Sequence, residues 1–140
     1  MTRQPLLKAT AKPRKNHEAT LQSTVVQHIR LRGVPNLVWG ASMNGVKLGI
    51  KAAMRMKAQG MEAGEPDLYF VVGGHYYGLE LKNGKKGVQS PEQKDFDKRV
   101  FASGGTYRIA RDIDEALVLL EAWGTIRART VTKTTYQKAA

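Results

Sequence analysis

Residues 66–82 read PDLYFVVGGHYYGLELK, and the fold is decided there. Leu68 to Val72 and Tyr76 to Lys82 are rich in β-branched and aromatic residues, and Gly73-Gly74 lies between them. Two such runs joined by a glycine pair predict a β-hairpin, because a two-residue turn of this kind needs positive φ at both positions. Alternation along the second run sets Leu79 and Leu81 on one face and Glu80 and Lys82 on the other. The leucines are expected to pack under a helix. A carboxylate and an ammonium leaving the opposite face of a half-buried strand then need a chemical reason. Asp67 opens the first strand just after Pro66, and an antiparallel hairpin returns Glu80 to its neighbourhood.

Outward from the hairpin, the chain alternates helical and extended segments. His17 to Arg32 has Leu21, Val25 and Ile29 at i, i+4 spacing, with Gly33 as the expected stop. A short apolar run, Asn36 to Trp39, predicts a strand. Val46 to Gln59 predicts a second helix, with Leu48, Ala52 and Met56 toward the core and Lys47, Lys51, Arg55 and Lys57 covering another side. After the basic turn Asn83–Gly87, Ser90, Pro91 and Gln93 form an S-P-x-Q helix start, in which serine and glutamine side chains cap reciprocal backbone N–H groups. Phe96, Val100 and Phe101 are its expected inward face. Thr106 to Ala110 predicts a strand, and Asp112 with Glu115 forms a second capping box before a last helix through Trp123, closed by Gly124. The order is helix, strand, helix, two hairpin strands, helix, strand, helix: a mixed α/β or α+β domain around one small mixed sheet. Residues 1–15 are expected to be a flexible basic arm, 16–124 the folded domain, and 125–140 a mobile basic tail.

Composition narrows the function. Among 140 residues there are no cysteines, which excludes disulfides and thiolate metal sites and suits a cytoplasmic protein, as in a bacterial or phage-infected cell. The opening residues are basic and carry Pro5 and Pro13, unlike a secretory signal, and no apolar run is long enough to span a bilayer. A formal net charge of +11 makes nucleic acid the leading partner. Anionic lipid is disfavoured because no strongly amphipathic basic helix carries bulky apolar residues. Charge alone does not separate a catalyst from a packaging or ribosomal protein.

Asp67, Glu80 and Lys82 do suggest that separation. Two carboxylates and an amine at adjacent strand positions can hold a hard divalent cation, Mg²⁺ or Mn²⁺, with a positioned water. Phosphodiester hydrolysis needs those parts. Either piece alone is ordinary: an Asp opening a strand is commonly a turn residue, and Glu-x-Lys a solvated ion pair. Glu18 and Gln22 share a helical face with Val25 and Ile29, so a polar site above the sheet would give them partners. Gln93 shares a face with Phe96 and Val100; it either points at the site or only completes its capping box. The Asn44-Gly45 turn, the cations Lys47, Lys51, Arg55 and Lys57, and Lys85 and Lys86 are candidates for guiding a DNA backbone. His17, His28 and His75 lack metal-ligand spacing, Tyr76 and Tyr77 read as packing and edge residues rather than base-stacking platforms, and no phosphate-cradling P-loop is present.

Gly64-Glu65-Pro66-Asp67, then Gly78-Leu79-Glu80-Leu81-Lys82, then Ser90-Pro91-Glu92-Gln93 resemble the PD-(D/E)xK nuclease superfamily and, within it, the VRR-NUC (virus-type replication-repair nuclease) family. The resemblance runs over roughly residues 17–123. It implies a restriction-endonuclease-like αβββαβ core, with residues 46–59 as an insertion. It also implies Asp67 and Glu80 as metal ligands with the Leu81 carbonyl as a third, Glu18 as a further candidate ligand, and Lys82 as the catalytic lysine. A Mg²⁺-dependent DNA endonuclease follows as the expected activity. Stand-alone members imply branched substrates such as four-way (Holliday) junctions, a homodimer, a place in replication, repair or recombination, and no small-molecule substrate. The competing expectation is a non-catalytic nucleic-acid-binding protein with a nuclease-like fold.

Overall fold

In the computed structural model, which describes residues 16–43, 48–84 and 87–129, the hairpin forms where its sequence places it. Strands β2 (Leu68–Val72) and β3 (His75–Leu81) pair antiparallel with Leu68 opposite Leu79 and Val72 opposite His75. Gly73 and Gly74 close the turn at φ 56° and 78°, a conformation that excludes most side chains. β1 (Val38–Ala41) adds antiparallel to β2, and β4 (Thr106–Ala110) adds parallel to β3, giving a sheet ordered β1-β2-β3-β4. The parallel step is made by α3 (Pro91–Ala102) crossing over the sheet. Helices α1 (Asn16–Arg32) and α4 (Ile113–Ala122) pack on the other face, and α2 (Ile50–Ala58) joins β1 to β2. The class is the expected mixed α/β sandwich.

The core lies between the sheet and the α1–α4 layer. Leu68, Phe70 and Leu79 are fully buried there with Val25, Ala116 and Leu120, and Leu81 and Ile29 nearly so. Each of these side chains larger than alanine contributes roughly 1.5–3 kcal/mol by leaving water. Tyr77 stacks on Trp123 at 4.9 Å between ring centres, so it is the packing residue its sequence suggested.

Several boundaries move. β1 starts at Val38 rather than Asn36, because Asn36 itself takes φ 64° in the turn that delivers the strand. α2 begins at Ile50, with Gly49 extended at its N-cap, and residues 44–47 lie outside the described residues. None of its residues is buried; Leu48, Ala52 and Met56 are only half-covered, so α2 is a marginal layer and not a core helix. Phe101 is 80% exposed, because it lies well off the helical row that carries Phe96 and Val100 inward. Glu115 meets the Arg111 N–H instead of completing a box with Asp112, whose own side chain does accept from the Glu115 N–H.

The folded unit also runs past residue 124. Thr125 and Ile126 are buried, Ile126 bridges to Gly33, and the Arg127 N–H donates to the Arg32 carbonyl at 2.8 Å. Arg32 in turn pairs with Glu121. The start of the expected tail therefore latches α1 to α4. Residues 1–15 and 130–140 lie outside the described residues, and no helix among the described residues is long and apolar enough to cross a membrane.

Candidate active site

The site is built on the sheet face opposite the core, at the end of the hairpin away from its turn. Its placement starts with two close approaches in the segment leading to β2. A Cβ on Gly64 would lie 2.2 Å from the Glu92 carbonyl oxygen, so Gly64 packs directly on the start of α3. Pro66 is buried over Gly78, where a Cβ would meet its ring at 2.8 Å. Asp67 is thereby set at the mouth of β2, opposite Glu80 as the register of β2 on β3 extends.

Each acid accepts from a backbone N–H across the hairpin. The Leu81 N–H donates to Asp67 Oδ2 at 2.7 Å, and the Asp67 N–H donates to Glu80 Oε2 at 3.2 Å. Glu80 is only 4% exposed. Its Oε1 accepts from the Gln93 amide at 2.7 Å and lies 3.4 Å from the Lys82 ammonium. The Tyr107 hydroxyl, 3.5 Å from Oε2, completes the surround and also lies 3.3 Å from the Gly64 carbonyl oxygen. Burial, and then the Asp67 charge, push the Glu80 carboxyl up to about 7 despite the opposing effect of Lys82. Burial likewise raises Asp67, with the charge of Glu18 adding to it. Burial and the neighbouring acids drive the Tyr107 hydroxyl well above the usual phenol range, so it stays a donor.

Gln93 resolves the two readings of its sequence by serving both. Its Oε1 accepts from the Ser90 N–H at 2.9 Å while its Nε2 holds Glu80, so the start of α3 is capped and aimed by one side chain. Lys82 is set by its N–H donating to the Ala110 carbonyl at 3.0 Å and by Gly87, where a Cβ would stand 2.8 Å from that of Lys82. Arg111 fastens this loop through the carbonyls of Gly84, at 2.8 Å, and Gly87.

The other candidates are placed less centrally. Glu18 is exposed at the rim, accepting from the Asn83 N–H at 3.2 Å, close enough to raise Asp67 without joining the two acids as a third ligand. Gln22 is half-buried along a shallow groove with Ala19, Ser23 and Val26 and has no hydrogen bond to the carboxylates. Lys51, Arg55 and Lys57 are exposed on α2. Asn44, Lys47, Lys85 and Lys86 fall outside the described residues. Tyr107, Arg111 and Asn83 were not foreseen. Alternation puts Tyr107 and Ile109 on one face of β4, but only the parallel register beside Gly78 brings the Tyr107 hydroxyl to Glu80.

Two solved structures share this architecture. One, described as a "VRR_NUC domain protein", matches 79% of this chain and 96% of its own with a TM-score of 0.63 at 18% identity. A second, described as a "VRR_NUC domain", covers 76% of this chain and 96% of that one with a TM-score of 0.51 at 16% identity. The fold is that of a VRR_NUC domain. No protein-family model and no curated protein matches the sequence.

Within this VRR_NUC fold the donor set suits a hard cation. Asp67 and Glu80 are oxygen donors of like charge beside the single ammonium of Lys82, so the ionised trio carries net negative charge that a divalent ion would neutralise. Among the described residues no group of three or more His, Asp or Glu side chains is gathered. The protein would therefore supply two carboxylates, with backbone oxygen, water or phosphate completing the shell, as magnesium sites commonly do.

Proposed function

We propose that this protein is a VRR-NUC family nuclease: a Mg²⁺-dependent DNA endonuclease, with Mn²⁺ able to substitute, that acts as a homodimer on branched DNA such as four-way junctions in replication, repair or recombination. The observation that carries the reading is the convergence of Asp67, Glu80, Lys82 and Gln93 on one corner of a sheet in a chain of net charge +11.

Asp67 and Glu80, with the Leu81 carbonyl, would hold the cation, which when bound supplies charge neutralisation and a more acidic water. Lys82, fixed against Glu80, presents its remaining N–H groups to the attacking water and its charge to the phosphate as negative charge grows there. Asp67 and Glu80 would stay ionised as the cation's ligands, and the attacking water would give up its proton to solvent. The water oxygen bonds to phosphorus, the bond from phosphorus to the leaving oxygen breaks, and solvent protonates that oxygen. Gln93 and Tyr107 keep Glu80 oriented throughout. A dimer would carry two such corners, one for each strand of a symmetric junction.

The test is cleavage of linear, nicked, flapped and four-way DNA with Mg²⁺ or Mn²⁺. Lys82→Ala is expected to lose about 10²–10³ in rate, as for one electrostatic donor, and Asp67→Ala at least as much, both still binding DNA. Undiminished cutting by either variant rejects the assignment. Salt-sensitive DNA binding by a wild type that cuts nothing with any divalent metal would favour the non-catalytic binder.

A further inference from the structure

On the face that carries Asp67 and Glu80, a cleft of about 870 Å³ opens between the sheet, α3 and the approach from α2. Its floor is two tyrosines. Tyr69 pairs in register with Gly40 on one side and Gly78 on the other, and a Cβ on Gly40 would lie 2.7 Å from the Tyr69 hydroxyl. The ring therefore lies across β1, over a position where another side chain would not fit. The Tyr76 ring is 6.3 Å from it and within 7° of parallel. Met43, Met56, Met61 and Phe96 make the walls. Glu65 and Arg99 are its charged lining, and Arg99 is already bonded to Asp95 at 3.0 Å and seated over the Phe96 ring. The cleft does not recognise phosphate; it offers parallel aromatic faces and adaptable thioethers.

We propose that this cleft is a base-binding subsite, occupied by unpaired nucleotides of the strand being cut. The inference rests on the nuclease reading and adds a substrate requirement to it. Tyr69 stands two residues along β2 from Asp67 on the same face, about 7 Å away. That is no more than about two nucleotide steps even at the roughly 3.4 Å rise of a duplex strand, so a strand whose phosphate lies at the acids passes its neighbouring bases over the tyrosines. Stacking on tyrosine is sequence-tolerant because every base has a π-face, and methionine walls adapt to purine and pyrimidine alike. The volume falls within the range of small-ligand pockets. Paired bases are locked inside the duplex stack, so only unpaired or extruded ones reach the floor. The strand's phosphates find their complement in the exposed Lys51, Arg55 and Lys57 of α2, whose Met56 forms part of the wall.

The experiment measures binding without divalent cation, so that no cutting intervenes. Single-stranded 12-mers, flapped duplexes carrying 2-aminopurine beside the branch, and blunt duplexes are titrated with wild type, Tyr76→Leu, Tyr69→Leu and Tyr76→Phe, each first shown by its melting curve to be folded. Wild type is expected to quench the aminopurine. Tyr76→Leu is expected to weaken single-strand and flap binding about tenfold, to alter blunt-duplex binding less than twofold, and to lose the quench that Tyr76→Phe keeps. Equal weakening on all DNAs, no weakening, or a quench that survives both leucine variants overturns the proposal. So does a change confined to self-association in sedimentation, which would mark the cleft as filled by a second copy. Quenching and the Tyr76 effect in a protein that cuts no DNA would sink the nuclease reading and leave the cleft standing; cutting without quenching would do the reverse.

Discussion

One face of the β2–β3 hairpin carries Leu68, Phe70, Leu79 and Leu81 into the α1–α4 layer; the other carries Asp67, Tyr69, Tyr76 and Glu80 toward α3. Both faces bury side chains, since Glu80 at 4% exposure is nearly as enclosed as Leu81 at 2%. What separates them is the cost of burial. The leucine face is stabilised by leaving water, while a buried carboxylate beside a second one is penalised and held by its hydrogen bonds and by the Lys82 ammonium. The hairpin thus stores on its polar face an electrostatic debt that a cation would relieve.

The largest effect should come from breaking the apolar face. Phe70→Ala is expected to cost about 3–5 kcal/mol, seen as a drop of roughly 10 °C or more in melting temperature. Asp67→Asn, on the other face, should instead raise the melting temperature of the metal-free protein by a few degrees. A fall as large as that of Phe70→Ala would erase the distinction drawn between the faces.

Next is pH. Glu80 takes up a proton near its ordinary 4.5 in the unfolded chain and near 7 in the folded one, so folding strengthens proton binding. Stability present below about pH 4.5 is therefore lost as pH rises through about 7, with Asp67 adding in the same direction. Melting curves of metal-free protein should fall by several degrees over that window, and Glu80→Gln should flatten the slope. A smaller effect sharpens the link to α3. Gln93→Ala removes a cap and a bond to Glu80 and should cost on the order of 1 kcal/mol; Gln93→Glu keeps an acceptor for the Ser90 N–H but sets a further carboxylate against Glu80, so its cost in stability should grow as pH rises. Smallest of all, replacing Lys51, Arg55 or Lys57 should leave stability alone and each lower the salt slope of DNA binding by about one if it meets a phosphate.

The hairpin was legible because its signals are local: a glycine pair, alternation, and strands of β-branched or aromatic residues on its two sides. The start of α3 was legible for the same reason, since Ser90 and Gln93 need only each other. Asp67, Glu80 and Lys82 were within reach because a hairpin converts spacing into proximity. Tyr107 was not, because its place depends on the parallel register of β4, which no local pattern encodes. Ile126 looked like tail because a single apolar residue in a polar stretch has no period, yet it closes the α1–α4 layer. Tyr76 read as packing, since sequence does not reveal that α3 and α2 leave its ring facing a cleft. Glu18 shared a face with core residues but sits where that face runs out into solvent.

The central claim is that Asp67 and Glu80 form one cation-binding pair, and Mn²⁺ titration by calorimetry with parallel melting curves tests it most directly. Wild type should bind Mn²⁺ at this corner and gain stability that grows with its concentration, by mass action on the folded state. Asp67→Asn and Glu80→Gln should each abolish both the heat and the gain. Equal Mn²⁺ binding by wild type and both variants would contradict the account.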